Sequence, residues 1–155
     1  MSCFKRMKNK MKDISPVHKK MDKVIMHCAA TPDADPTNPR WYNLDISEIR
    51  EWHVKGNGWR DVGYHFFIKR DGTIQEGRPV GTQGAHTKGQ NENIGVCYAG
   101  SKDPTKEQKE SIRALGLMIR QKYGISPLDW HCHYEYANKD CPGFSRQVLL
   151  DILTG

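Results

Sequence analysis

His131, Cys132 and His133 stand in a row within the stretch from Trp130 to Phe144. Lys139, Asp140, Cys141, Pro142 and Gly143 follow after a short polar run. Imidazole nitrogen and thiolate sulfur are the ligands that a zinc ion prefers. Asn138 and Asp140 favour turns, and Pro142-Gly143 ends any regular element, so the segment has the form of a loop. His133 and Cys141 can then sit at the two ends of a loop that folds back, presenting both side chains to one ion. A set of packed core residues is an equally good reading of such a cluster, because free Cys is among the most buried residue types. The spacing is not one of the short zinc-finger spacings. Two ligands do not make a site, and a third has to come from elsewhere in the chain.

The candidate is His27. KVIMHC (Lys23–Cys28) reads as a short buried strand, rich in β-branched and apolar residues and ending abruptly. His27 lies at its C-terminal end, where residues entering a loop are well placed for chemistry; a packed histidine is the plainer alternative. His27, His133 and Cys141 together would make a His₂Cys set with a fourth position open to water, the pattern of a catalytic zinc rather than a closed structural one. Such an ion lowers the pKa of bound water to about 7 and polarises a carbonyl oxygen. Lys139 can stabilise the oxyanion of a tetrahedral intermediate. Tyr64, near the start of its strand, can orient the water or hydrogen-bond the same oxyanion; the plainer role of such a Tyr is an amphipathic residue at a sheet end. Glu135 lies close to a ligand in sequence, but nothing fixes its direction.

The remaining elements must hold these residues in place. Asp45 and Ser47 are candidate N-caps for a helix over about Ile46–Val54, stopped by Gly56-Asn57-Gly58. A strand at about Gly63–Lys69, an Asp71-Gly72 turn and a second strand from Thr73 form a hairpin, with Tyr64, Phe66 and Ile68 on one side. Gly77–Gln90 reads as a loop carrying His86 and Lys88, and Asn93–Gly100 as a buried strand. Thr105 and Gln108 make a capping box for a helix with an Ile112, Leu115, Ile119 stripe that ends at Gly124. LDWHCH is a short strand, and a last helix after Ser145 buries Val148, Leu149 and Ile152. The order of elements predicts an α/β fold, a central mixed sheet flanked by helices.

At 155 residues the chain is one domain's worth. No apolar run is long enough for a membrane span, and no apolar core follows the N-terminal lysines as a signal peptide requires. The expectation is therefore synthesis in the cytoplasm. Five cysteines, odd in number and without a framework of spacings, point to free thiols. The net charge of +6 is confined to one end. Residues 1–23 hold eight basic and two acidic residues, against 24 and 18 in the whole chain, so residues 24–155 carry sixteen of each. A neutral body argues against nucleic acid as a partner. Residues 1–22 read as a basic, disordered tail, and residues 23–155 as the folded domain.

VIMHCAAT, ISEIREWH, GWRDVGYHFFIKRDGTIQEGR, IGVCYAG and HCHYEYANKDCPGF, in that order, resemble the zinc-dependent N-acetylmuramoyl-L-alanine amidases. The group includes lysozymes of the phage T-seven type and the peptidoglycan recognition proteins. The resemblance covers about Lys23 to Ile152. It implies Zn²⁺ on His27, His133 and Cys141, with His133 rather than His131 as the ligand, in a surface groove at one edge of the sheet. It also implies Tyr64 and Lys139 as the catalytic pair, and a monomer acting on peptidoglycan or muropeptide after release to the wall, of phage or prophage origin. His86 is a candidate for contacting substrate. Asn93 departs from the family, which often has Ser there in a loop one residue longer. Two other readings stand beside the enzyme: a non-catalytic peptidoglycan-binding module, which typically lacks the Cys ligand, and a polymerase-binding regulator.

Overall fold

The computed structural model describes residues 20–155. The expected tail lies outside them, apart from its last three residues. Five strands form one sheet: β1 (Val24–Cys28), β2 (Phe66–Ile68), β3 (Ile74–Glu76), β4 (Ile94–Tyr98) and β5 (Trp130–Cys132). Their order is β3-β2-β4-β1-β5. β1 runs parallel to β4 and to β5, β4 runs parallel to β2, and β2 and β3 are an antiparallel hairpin. Among the described residues four α-helices accompany the sheet: α1 (Pro39–Tyr42), α2 (Ile46–Glu51), α3 (Lys106–Tyr123) and α4 (Arg146–Thr154). The expected mixed sheet with flanking helices is the architecture found.

Both faces of the sheet are covered, which is why β1 and β4 are buried at every residue. The pleat sends Val24 and Met26 of β1, Val96 and Tyr98 of β4, and Phe66 and Ile68 of β2 to one side. There they meet Ile112, Leu115 and Ile119 of α3 and Leu149 and Leu153 of α4. Phe67, Cys97 and Ala99 point the other way, onto Leu44, Ile46 and Ile49. His27, being odd in register, belongs to this second face, away from the main helical layer.

Local chemistry sets the helix ends. Thr105 Oγ1 accepts from the Gln108 amide, the Gln108 side chain returns to the Thr105 N–H, and Gly124 closes α3 with φ of 71°. Asp45 accepts from the Ser47 and Glu48 amides and caps α2, an interaction worth about 1 kcal/mol.

The segment before Asn43 contains the one-turn α1, started by Pro39 at its first position. Three local expectations change. The helix expected to reach Val54 widens after Glu51 into a π-turn over Trp52–Gly56, which leaves Trp52 and Val54 exposed. Val148 is 41% exposed, and the buried stripe of α4 is Leu149 and Leu153. Leu153 lies where α4 meets α3 at Gly116, so closely that a Cβ on Gly116 would be 2.8 Å from Leu153 Cδ2. Tyr64 does not share the side of Phe66 and Ile68. It precedes β2, outside the regular pleat, and packs with the Phe67 and Cys97 group.

Candidate metal centre

β1 and β5 set the height of two histidines. Ile25 pairs with His131 and Met26 with Cys132, so continuing the register puts His133 beside His27. The Nδ1 atoms of His27 and His133 are 3.2 Å apart. His131 sits one pleat repeat lower and its Nδ1 meets Glu135 Oε1 at 3.2 Å. The other Glu135 oxygen accepts the Cys132 amide at 2.6 Å, so this carboxylate is engaged in closing the turn after β5.

The loop after His133 returns as its turn residues suggest. The Tyr134 amide donates to the Cys141 carbonyl at 2.9 Å, and Tyr98 Oη donates to the Pro142 carbonyl at 2.5 Å. Gly143, with φ of 88°, lies so close to Ser101 that a Cβ would be 2.0 Å from its carbonyl oxygen. These contacts bring Cys141 Sγ to 3.9 Å from His27 Nδ1. Ligand atoms of His27, His133 and Cys141 all lie within 4.8 Å of one another. A tetrahedral ion with nitrogen ligands at about 2.0–2.1 Å and sulfur at about 2.3 Å sets its ligand atoms roughly 3.3–3.6 Å apart. The donor set therefore fits such an ion with little movement.

Electrostatics favour the ligand forms of the two imidazoles. Burial, with the two neighbouring imidazoles, holds His27 well below the ordinary histidine range. Burial, and then the nearby Lys139 ammonium, lowers His133 as well. The Cys28 thiol and burial push the Cys141 thiol up in the metal-free chain. The Cys28 amide donates to Cys141 Sγ at 3.2 Å, an interaction that suits a thiolate.

The family described as N-acetylmuramoyl-L-alanine amidase matches residues 17–144. The chain belongs to that family. It is 42% identical to the endolysin of Escherichia phage T7 over 132 residues, covering 79% of this chain and 81% of that one. Among solved structures it resembles the N-acetylmuramoyl-L-alanine amidase LysC of Clostridium intestinale URNW. There the TM-score is 0.71 and the identity 28%, with 86% of this chain and 85% of LysC covered. It also resembles peptidoglycan recognition protein-LE in complex with tracheal cytotoxin, a monomeric diaminopimelic acid-type peptidoglycan. That match has a TM-score of 0.68 and 27% identity, with 87% and 80% covered.

In this amidase Tyr64 stands beside the cluster. Its ring centroid is 5.2 Å from that of His27 and 5.5 Å from that of His53. Burial pushes its phenol well above the ordinary tyrosine value, so it is a hydrogen-bond donor throughout the working pH range. His53, with the Trp59 ring tilted against it at 4.7 Å between centroids, accepts the Gly63 amide at Nδ1. Lys139 is exposed on the returning loop, close enough for its charge to act on His133.

His86, expected on a loop facing substrate, is buried behind His27. Its Nδ1 is 3.1 Å from His27 Nε2 and its Nε2 is 2.9 Å from the Asn93 carbonyl oxygen. Thr87, not singled out from the sequence, places Oγ1 3.2 Å from His27 Nε2. A signal for this packing was present: Gly95 interrupts a strand, and an isolated strand glycine marks a close approach. Here a Cβ on Gly95 would fall 2.5 Å from His86 Cδ2. Asn93, the departure from the family pattern, is buried too. Its Oδ1 accepts the Asp22 and Lys23 amides at 3.0 Å each.

Proposed function

We propose that this amidase is a zinc-dependent peptidoglycan hydrolase of the endolysin type, cleaving the amide between N-acetylmuramic acid and the L-alanine of the stem peptide. The observation that carries the reading is the convergence of His27, His133 and Cys141 at the C-terminal end of β1, in a chain of this family. A zinc ion held by those three residues would supply Lewis acidity, activating water and polarising the scissile carbonyl.

The chain's own residues do the rest. Tyr64, kept protonated by burial, donates a hydrogen bond to the carbonyl oxygen as it gains charge. Lys139, whose charge reaches His133, stabilises that oxyanion. His27 and His133, both neutral, offer Nδ1 lone pairs toward one point. The relatives named as endolysins support a phage setting, with action on the bacterial wall after synthesis in the cytoplasm. The protein acts as a monomer, and no helix among the described residues is long and apolar enough to cross a membrane.

The test is the product. Digestion of purified peptidoglycan should release stem peptides with new free N-terminal L-alanine and no new reducing sugar ends. Reducing ends without free alanine would mean glycan cleavage and would overturn the assignment.

A further inference from the structure

Two imidazoles and a backbone carbonyl form a continuous line behind the metal-facing atom of His27. The Asn93 carbonyl oxygen can only accept, so His86 Nε2, at 2.9 Å, carries the hydrogen of that bond. His86 is 8% exposed, and the titratable side chains around it, His65, His133 and Arg78, include no carboxylate to which Nδ1 could donate. A neutral imidazole protonated at Nε2 has a lone pair at Nδ1. That lone pair faces His27 Nε2 at 3.1 Å, which makes His27 Nε2 the donor. Thr87 Oγ1 is 2.9 Å from His86 Nδ1 and 3.2 Å from His27 Nε2, and its hydroxyl can donate to the first and accept from the second, in keeping with the same tautomer. His27 then has its hydrogen on Nε2 and its lone pair on Nδ1, the atom 3.2 Å from His133 Nδ1.

The relay is held by packing as well. Cβ atoms at Gly84 and Gly95 would lie 2.7 and 2.5 Å from His86 Cδ2, so the ring is clamped between two backbone segments. Both residues lie outside the loop that carries His133 and Cys141.

We propose that His86 is a positioning residue: through the relay from the Asn93 carbonyl it locks His27 in the Nε2–H tautomer and presents Nδ1 ready to ligate zinc. A ligand that needs no tautomer change binds more tightly, and partners that orient a ligating histidine are typically worth 10- to 100-fold in metal affinity. The inference rests on the metal site proposed above.

The experiment has two readouts besides activity. Nitrogen-15 shifts of histidine in the zinc-free wild type should show His27 and His86 both as Nε2–H tautomers. Zinc affinity by chelator competition should fall about 10- to 100-fold in His86→Ala. It should recover in His86→Gln, whose amide can accept from His27 and donate to Asn93. Thermal unfolding of each zinc-free variant separates a loss of fold from a loss of presentation. An Nδ1–H tautomer at His27 in the zinc-free wild type would overturn the proposal, variants aside. So would wild-type zinc affinity in a folded His86→Ala, or equal losses in the Ala and Gln variants with no change in tautomer. If the wild type itself binds no zinc, the metal site fails first, and this inference with it.

Discussion

His27 and His133 meet Nδ1 to Nδ1 at 3.2 Å although 106 residues separate them. The pairing comes from the parallel register of β1 and β5, which also sets His131 one repeat away from the centre. Which histidine stands beside His27 is thus a matter of strand register, not of residue type.

The metal content follows from that geometry. Purified protein should hold about one zinc per chain. His133→Ala and Cys141→Ser should each lose metal and activity together. Cys28→Ser should retain the metal, because the backbone amide that Cys28 donates to Cys141 Sγ survives the substitution. Elemental analysis of each variant decides; full activity in a verified zinc-free preparation would refute the metal role.

Zinc uptake should release protons. His27 and His133 are held below the ordinary histidine range and are already neutral at pH 7, whereas the Cys141 thiol is pushed up and protonated. Ligation needs the thiolate, so about one proton should leave per zinc, and affinity should rise with pH. Calorimetry in buffers of different ionisation enthalpy measures the number. No release at pH 7 would show that Cys141 is not the ligand.

Tyr64→Phe and Lys139→Ala should keep near-normal zinc content and binding of peptidoglycan fragments while kcat falls. The expected loss is on the order of 10²–10³-fold for one oxyanion donor. If Lys139→Ala turns over normally, Lys139 is simply an exposed loop residue.

The zinc-free protein should lose stability in mild acid. Burial lowers His86 to about 4, with His27 well below the ordinary value. The unfolded chain takes up these protons near pH 6.5. Between about pH 6.5 and 4 the unfolded state therefore binds more protons, so this contribution is fully present above 6.5 and lost as pH falls through the window. For His86 alone it amounts to roughly 3 kcal/mol. Denaturant midpoints that stay flat from pH 7 to 4.5 would contradict it.

A chain beginning at Met21 should fold and bind zinc. Met21 packs on the main core, and the Asp22 and Lys23 amides are held by Asn93 Oδ1. Circular dichroism and metal analysis check this. If residues 1–20 bind anionic wall polymer, their loss should weaken pelleting with whole walls at low salt and spare turnover of a soluble muropeptide. Failure to fold would make the earlier residues part of the domain.

The sequence by itself carried the strands, the capped α3, the hairpin and the ordered motifs that place the chain among the amidases. Those signals are local: a buried parallel strand needs a continuous apolar run, and a helix end needs its cap. It also marked His27, His133, Cys141, Tyr64 and Lys139 as residues able to do chemistry, because type and position at element ends are written in the string. The side of the sheet on which Tyr64 lies was not legible, since alternation counts only where a strand is regular and β2 begins two residues later. The place of His86 was decided by tertiary structure alone. A histidine in a Gly-rich loop reads as surface, and only the approach of that loop to Gly95, where no Cβ stands in the way, lets the ring settle behind His27. Proximity between residues 59 apart in sequence is a property of the packed sheet, and no local pattern encodes it.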